Sequence, residues 1–207
     1  MQEPDRPSEQ INQIHAIMSR STTFVSLSGF SGVCAGILAF MAFWRICRML
    51  DTLWLDEKAF AVLRDEPILL PAIAVVFLVT LFLALAVAFF FTWRRAKHSN
   101  LELWNIASRR FGMHMALPLL AGGVFILALG RLGTFELICP AMLVFFGLAL
   151  INAGKYSVSG TELFGVVELV LGLIAAFWVE AGLVLWVVGF GLVTAGHGVL
   201  MYLQYER

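Results

Sequence analysis

Apolar residues fall into six long segments separated by short polar ones: Phe24 to Trp44, Pro67 to Trp93, Phe111 to Gly130, Phe135 to Gly154, Leu163 to Trp178 and Ala181 to Leu203. A helix that crosses the hydrocarbon core needs roughly 20 mostly apolar residues, and each segment meets or approaches that length. The pattern predicts an all-α polytopic membrane bundle of six transmembrane helices, arranged as three hairpins. Only Val179 and Glu180 separate the fifth segment from the sixth, which predicts a tight turn there. Trp44, Trp93, Trp178 and Tyr202 stand at segment ends, where amphipathic rings settle at headgroup level.

The polar stretches divide the chain into a cytoplasmic N-terminal segment, residues 1–23, and a transmembrane domain, residues 24–207. Within Ser8 to Met18, Ile11, Ile14 and Met18 fall at i, i+3 and i+7, one face of a helix. That face suits an interfacial helix lying on the inner leaflet; docking onto a cytoplasmic partner is the alternative. Ser99 and Glu102 have capping-box spacing, and Leu101, Trp104 and Ser108 share a face of a helix that would run into the third span. The acidic residues Glu3, Asp5 and Glu9 ahead of the first apolar run, and the lack of a small-residue cleavage site after it, predict no cleaved signal peptide.

Lys and Arg set the orientation. With the N-terminus inside, inner segments hold nine basic residues and outer segments five. Both termini are therefore expected in the cytoplasm. The loop with Arg94, Arg95, Lys97, Arg109 and Arg110 carries most of that bias.

Composition agrees with a bilayer as solvent. Hydrophobic residues make up 60% of the 207 and charged residues 14%, against about 25% charged in a soluble domain. A mean hydropathy of +0.88 exceeds what a soluble core of this size can bury. Acidic and basic residues balance at 14 each, so no field attracts nucleic acid. Cys34, Cys47 and Cys139 are scattered in or beside apolar runs without paired spacing. They read as packing residues, not as disulfides or metal ligands.

Small residues recur where helices would meet. Ser28, Gly32 and Gly36 step by four along the first span, and Gly182, Gly189, Gly191, Gly196 and Gly198 line the last. This spacing lets backbones approach closely, within the chain or between two copies in a homo-oligomer. A weak internal repeat accompanies it. Phe146-Gly147-Leu148 recurs as Phe190-Gly191-Leu192, Gly154 matches Gly198, and Gly123 matches Gly172.

The stretch from Phe24 to Gly36, the run Ala107-Ser108-Arg109-Arg110 and the run Asn152-Ala153-Gly154-Lys155-Tyr156 resemble an uncharacterised family of bacterial six-span inner-membrane proteins. The hairpin Val167 to Tyr202, with its spaced glycines, is similar to the tandem hairpin of the acid-resistance membrane protein family. These resemblances imply the bacterial cytoplasmic membrane and carry over no functional residue.

Polar groups inside spans are the informative residues, because the bilayer makes them expensive. His114, Asn152, Glu168 and His197 come from four spans. Counted from the segment ends at 1.5 Å per residue, all four are expected within roughly 10 Å of the inner surface. One reading is a polar pocket in which a carboxylate and two imidazoles relay protons or hold a cation. The plainer reading is that each group bonds to a neighbouring helix or reaches water. Glu168 is the deepest acid and is expected to meet a polar side chain of another span.

Gly29-Phe30-Ser31-Gly32 resembles the serine motif of rhomboid-type intramembrane proteases, which also carry a histidine in the last span, as His197 stands here. The serine lies in the first span, however, and Pro67 to Trp93 offers no His or Asn for an oxyanion site. No nucleotide, metalloprotease or paired-carboxylate motif is present, so no cofactor or metal is expected. The sequence thus points to a non-enzymatic membrane protein with a structural, stress-related or partner-binding role. Transport of a small solute or proton is the alternative, and intramembrane hydrolysis is the third.

Overall fold

The structure, a computed structural model, describes residues 29–52, 57–66, 68–98, 106–157 and 160–205. These form α1 (Gly29–Leu50), α2 (Glu57–Asp65), α3 (Leu69–His98), α4 (Ile106–Leu132), α5 (Ile138–Gly154), α6 (Thr161–Phe177), α7 (Gly182–Val187) and α8 (Thr194–Tyr205). Short 3-10 turns at Phe135–Leu137 and Val179–Ala181 lead into α5 and α7. A π-helical segment, Val188–Val193, joins α7 to α8. No β-strand occurs among the described residues. The inferred interfacial helix at Ser8 to Met18 and the capping box at Ser99 lie outside them.

Five helical stretches are long and apolar enough to cross a membrane: Gly29–Leu50, Leu69–Arg94, Ile106–Leu132, Phe135–Gly154 and Val179–Gln204. The remaining apolar helix, α6, has 17 residues and a length of about 25 Å. It stops at Trp178, where the chain leaves helical geometry at φ −122° and ψ 70°.

Two prolines fall where a helix tolerates them. Pro71 and Pro140 sit in the first turns of α3 and α5, where the missing N–H has no helical partner to lose. Pro118 lies inside α4.

Two seams hold the bundle. Along the first, α1 crosses α8 and the π segment. A methyl group at Gly36 would lie 2.6 Å from the Gly191 carbonyl oxygen, and one at Gly32 would lie 2.9 Å from the Gly198 Cα. Along the second, α5 runs antiparallel to α6, and a methyl at Gly147 would lie 2.5 Å from the Leu169 amide nitrogen. Of the small residues read from the sequence, Gly32, Gly36, Gly189, Gly191 and Gly198 pack against neighbouring segments of the chain, Gly196 faces open space, and Ser28 lies outside the described residues. The matched pair Gly123 and Gly172 does not share a role: a methyl on Gly172 would meet Val144, whereas nothing lies within 4 Å of one on Gly123.

From these seams the helices follow the order α4, α5, α6, then α7 and the π segment, then α1 and α3. The two ends of that order are bare: only 6% of the apolar window of α3 and 11% of that of α4 is covered by protein. Arg48 lies 5.7 Å over the Trp44 ring near one end of α1, and Lys97 lies 5.5 Å over Trp93 near the end of α3. Both pairs suit an amphipathic ring and a snorkelling cation at an interface.

Two expectations change. Helix α1 continues past Trp44 to Leu50, so Arg45 and Arg48 are helical residues rather than loop residues. The stretch between the first two apolar segments, expected as a loop from Leu50 to Glu66, is partly helical. It contains α2, whose Ala59, Phe60 and Leu63 are buried in the core shared with Ile46, Ile73, Leu183 and Trp186. Helix α2 thereby caps the end of the bundle opposite His114 and Tyr156.

Candidate functional site

Asn152 and His114 meet at one end of the α4–α5 pair. The Asn152 side-chain Nδ2 donates to the His114 carbonyl oxygen at 3.0 Å, and the His114 ring stacks on Tyr156 at 4.8 Å. The Asn152 amide thus bonds to the backbone of the neighbouring helix and not to the imidazole. His197, on α8, stacks on Phe164 of α6 at 4.6 Å with a 22° interplanar angle. Phe164 continues into a chain of rings through Phe146, Phe190, Trp186 and Phe77. The recurring phenylalanines of the sequence repeat, Phe146 and Phe190, pack on each other at 4.8 Å.

Glu168 hydrogen-bonds to none of the three. It is 0% exposed. Seven residues separate it from the start of α6 at Thr161 and nine from the end at Phe177, which places it about 10 Å and 14 Å from the two ends. It faces the π segment closely enough that a methyl on Gly189 would collide with its Oε2 and lie 2.6 Å from Leu143 Cδ2. Neither carboxyl oxygen has a hydrogen-bond partner, and each exposes less than 1 Å² of surface.

Two expectations are therefore corrected. The four polar residues do not share one level or one pocket, because Glu168 sits at mid-helix, deeper than the end where Asn152 and His114 meet. Glu168 also has no polar partner on another span: neither carboxyl oxygen accepts a hydrogen bond, and Leu143 and Gly189 lie close to it. The physical reason is register. The α5–α6 seam, fixed by Gly147 and Gly165, aligns Glu168 with the apolar middle of α5 and not with its Asn152 end.

Sequence reading missed two features of the site. The first is the π segment, in which i→i+5 bonding displaces carbonyls from the ordinary ladder. The Thr194 hydroxyl donates to one of these, the Gly189 carbonyl oxygen, at 3.1 Å. The paired glycines Gly189 and Gly191 were its only sequence trace. The second is Trp186, whose indole N–H is also buried without a hydrogen-bond partner, three residues before Gly189.

A buried polar group without a partner costs about 1–3 kcal/mol, and more if charged. Native proteins keep few such groups. An apolar residue at position 168 would pack against Leu143 without that penalty, so stability does not account for the acid. Among the described residues no cluster of His, Cys, Asp or Glu has metal-binding geometry. A proton needs a single oxygen and fits a lone carboxyl, whereas a metal ion needs several donors. Ser31, the serine of the protease-like motif, is 4% exposed within α1.

No protein-family model, no curated protein and no solved structure matches this chain.

Proposed function

We propose that the chain is a six-span, three-hairpin protein of the bacterial cytoplasmic membrane that moves protons without enzymatic turnover, with Glu168 as the carrier. In this reading α6 is the additional span and both termini face the cytoplasm. One observation carries the proposal: the lone, fully buried carboxyl of Glu168 lies at mid-helix against the π-interrupted last span. Transporters place ion sites near the bilayer midplane, where a helix is broken and its backbone freed from the regular ladder. The Glu168 carboxylate would take one proton from water on one side and return it on the other, with no other bond made or broken.

The conformation described is closed. Glu168 touches no water-sized space, and α2 covers one end of the core. Exchange then requires the bundle to open, and the π segment is the element best suited to shift. Its six residues are bonded out of register with α7 and α8, and two of them are glycines. The same closure favours a second reading, a structural or partner-binding membrane protein in which Glu168 never exchanges.

Flux separates the two. Proteoliposomes containing a trapped pH dye and driven by a potassium diffusion potential should acidify faster than empty vesicles, and Glu168→Gln should return the rate to that of empty vesicles. Wild-type rates equal to empty vesicles would leave the partner-binding reading. Orientation is tested separately: a cytoplasm-only reporter should be active at the C-terminus and silent in the segment between α1 and α3. A serine-hydrolase probe should leave the protein unlabelled.

A further inference from the structure

A groove of about 410 Å³ opens beside the start of α4, lined by Ile106, Arg109, Arg110, Met113 and His114. Its construction differs from that of an ordinary positively charged loop. Both guanidiniums are exposed, and no ion pair among the described residues engages them. The groove is anchored from behind: Asn152 holds the His114 carbonyl and Tyr156 stacks on the His114 ring.

Below the charges the same helix face turns apolar without interruption. From Ile106 the face runs through Arg110, Met113, Leu117 and Leu120 in steps of four and three, the spacing that keeps side chains on one side of a helix. Ile106, Met113, Leu117 and Leu120 are 69%, 63%, 71% and 70% exposed. Paired guanidiniums suit a phosphate, which they bind through two parallel hydrogen bonds. An uncovered apolar track leading away from them suits a hydrocarbon chain.

We infer that this groove binds one anionic phospholipid, with its phosphate on Arg109 and Arg110 and an acyl chain along Met113, Leu117 and Leu120. Charge complementarity selects an anionic lipid over a zwitterionic one, since basic groups at a membrane surface attract negative headgroups. The apolar track selects a lipid over a free anion. The inference is independent of any role for Glu168, which lies deeper and on α6.

Native mass spectrometry of the full chain in mild detergent, titrated with phosphatidylglycerol or phosphatidylcholine, tests it. One phosphatidylglycerol should be retained in preference to phosphatidylcholine. Affinity should fall roughly 30-fold in Arg109→Gln/Arg110→Gln, the equivalent of about 1 kcal/mol for each basic group. The charge-preserving pair Arg109→Lys/Arg110→Lys should recover only part of it, since an ammonium keeps the charge but not the paired hydrogen bonds of a guanidinium, and Arg131→Gln, at the other end of α4, should change nothing. Equal retention of the two lipids would overturn the inference, as would insensitivity to the double Gln variant or displacement by inorganic phosphate.

Discussion

Asn152 and Glu168 are both polar residues within apolar helices, and both lie along the α5–α6 pair. Asn152, near one end, gives its amide to the His114 carbonyl and is half-buried. Glu168, at mid-helix, is fully buried and has no partner for either oxygen. The first arrangement is how a membrane helix satisfies a polar side chain: a backbone acceptor from the next helix, close to water. The second is one that packing alone does not maintain, since a leucine would fill the space without an orphaned acceptor. Depth and satisfaction, rather than polarity, distinguish the two residues, and the proposed exchange rests on that difference.

The largest effect that would sharpen this contrast comes from Gly189. Gly189→Leu places a side chain against the Glu168 carboxyl and Leu143, and overpacking of this kind costs about 1–3 kcal/mol or more. Thermal unfolding in detergent should show a large loss. Gly112→Leu, on the open face of α4 where nothing lies within 4 Å, should leave the midpoint within error. Equal effects at the two glycines would mean that the close approach of α6 to the π segment is not built into the fold.

At the satisfied end, Asn152→Leu removes one interhelical hydrogen bond, worth about 0.6 kcal/mol on average between membrane helices. The unfolding midpoint should drop slightly, with proton flux unchanged. Loss of flux in this variant would return Asn152 to the site and break the distinction drawn here.

Much of the fold was legible because hydropathy and length are coarse signals. Five of the six apolar segments are helices long enough to span, and the glycine steps of the first and last segments meet as a seam. The amphipathic helix α2 escaped notice because its buried face is short: Ala59, Phe60 and Leu63 within nine residues. The site was legible in its residues but not in its geometry. Counting from the apolar edge at Leu163 gave how far along α6 Glu168 lies, about 10 Å from Thr161, but not what it faces. That depends on which glycines of α5 and α6 face each other, and composition does not encode that register. The π segment is equally invisible to a search for helical periodicity, because it changes the hydrogen-bond step without changing the residues.

Another modest effect concerns that segment. Thr194→Val removes the hydroxyl that holds the Gly189 carbonyl, a loss of about 0.5–1.5 kcal/mol. If the π segment moves during exchange, this variant should alter the flux rate by more than its small stability change. A flux equal to wild type would make Thr194 a static support.

The most direct test measures stability and flux together in Glu168→Leu. If the carboxyl is kept for proton exchange at the expense of packing, the variant should unfold later, with a gain of about 1–3 kcal/mol from removing an unsatisfied buried group. Its proteoliposomes should acidify no faster than empty ones. A variant that unfolds earlier and still carries protons at the wild-type rate would contradict the account.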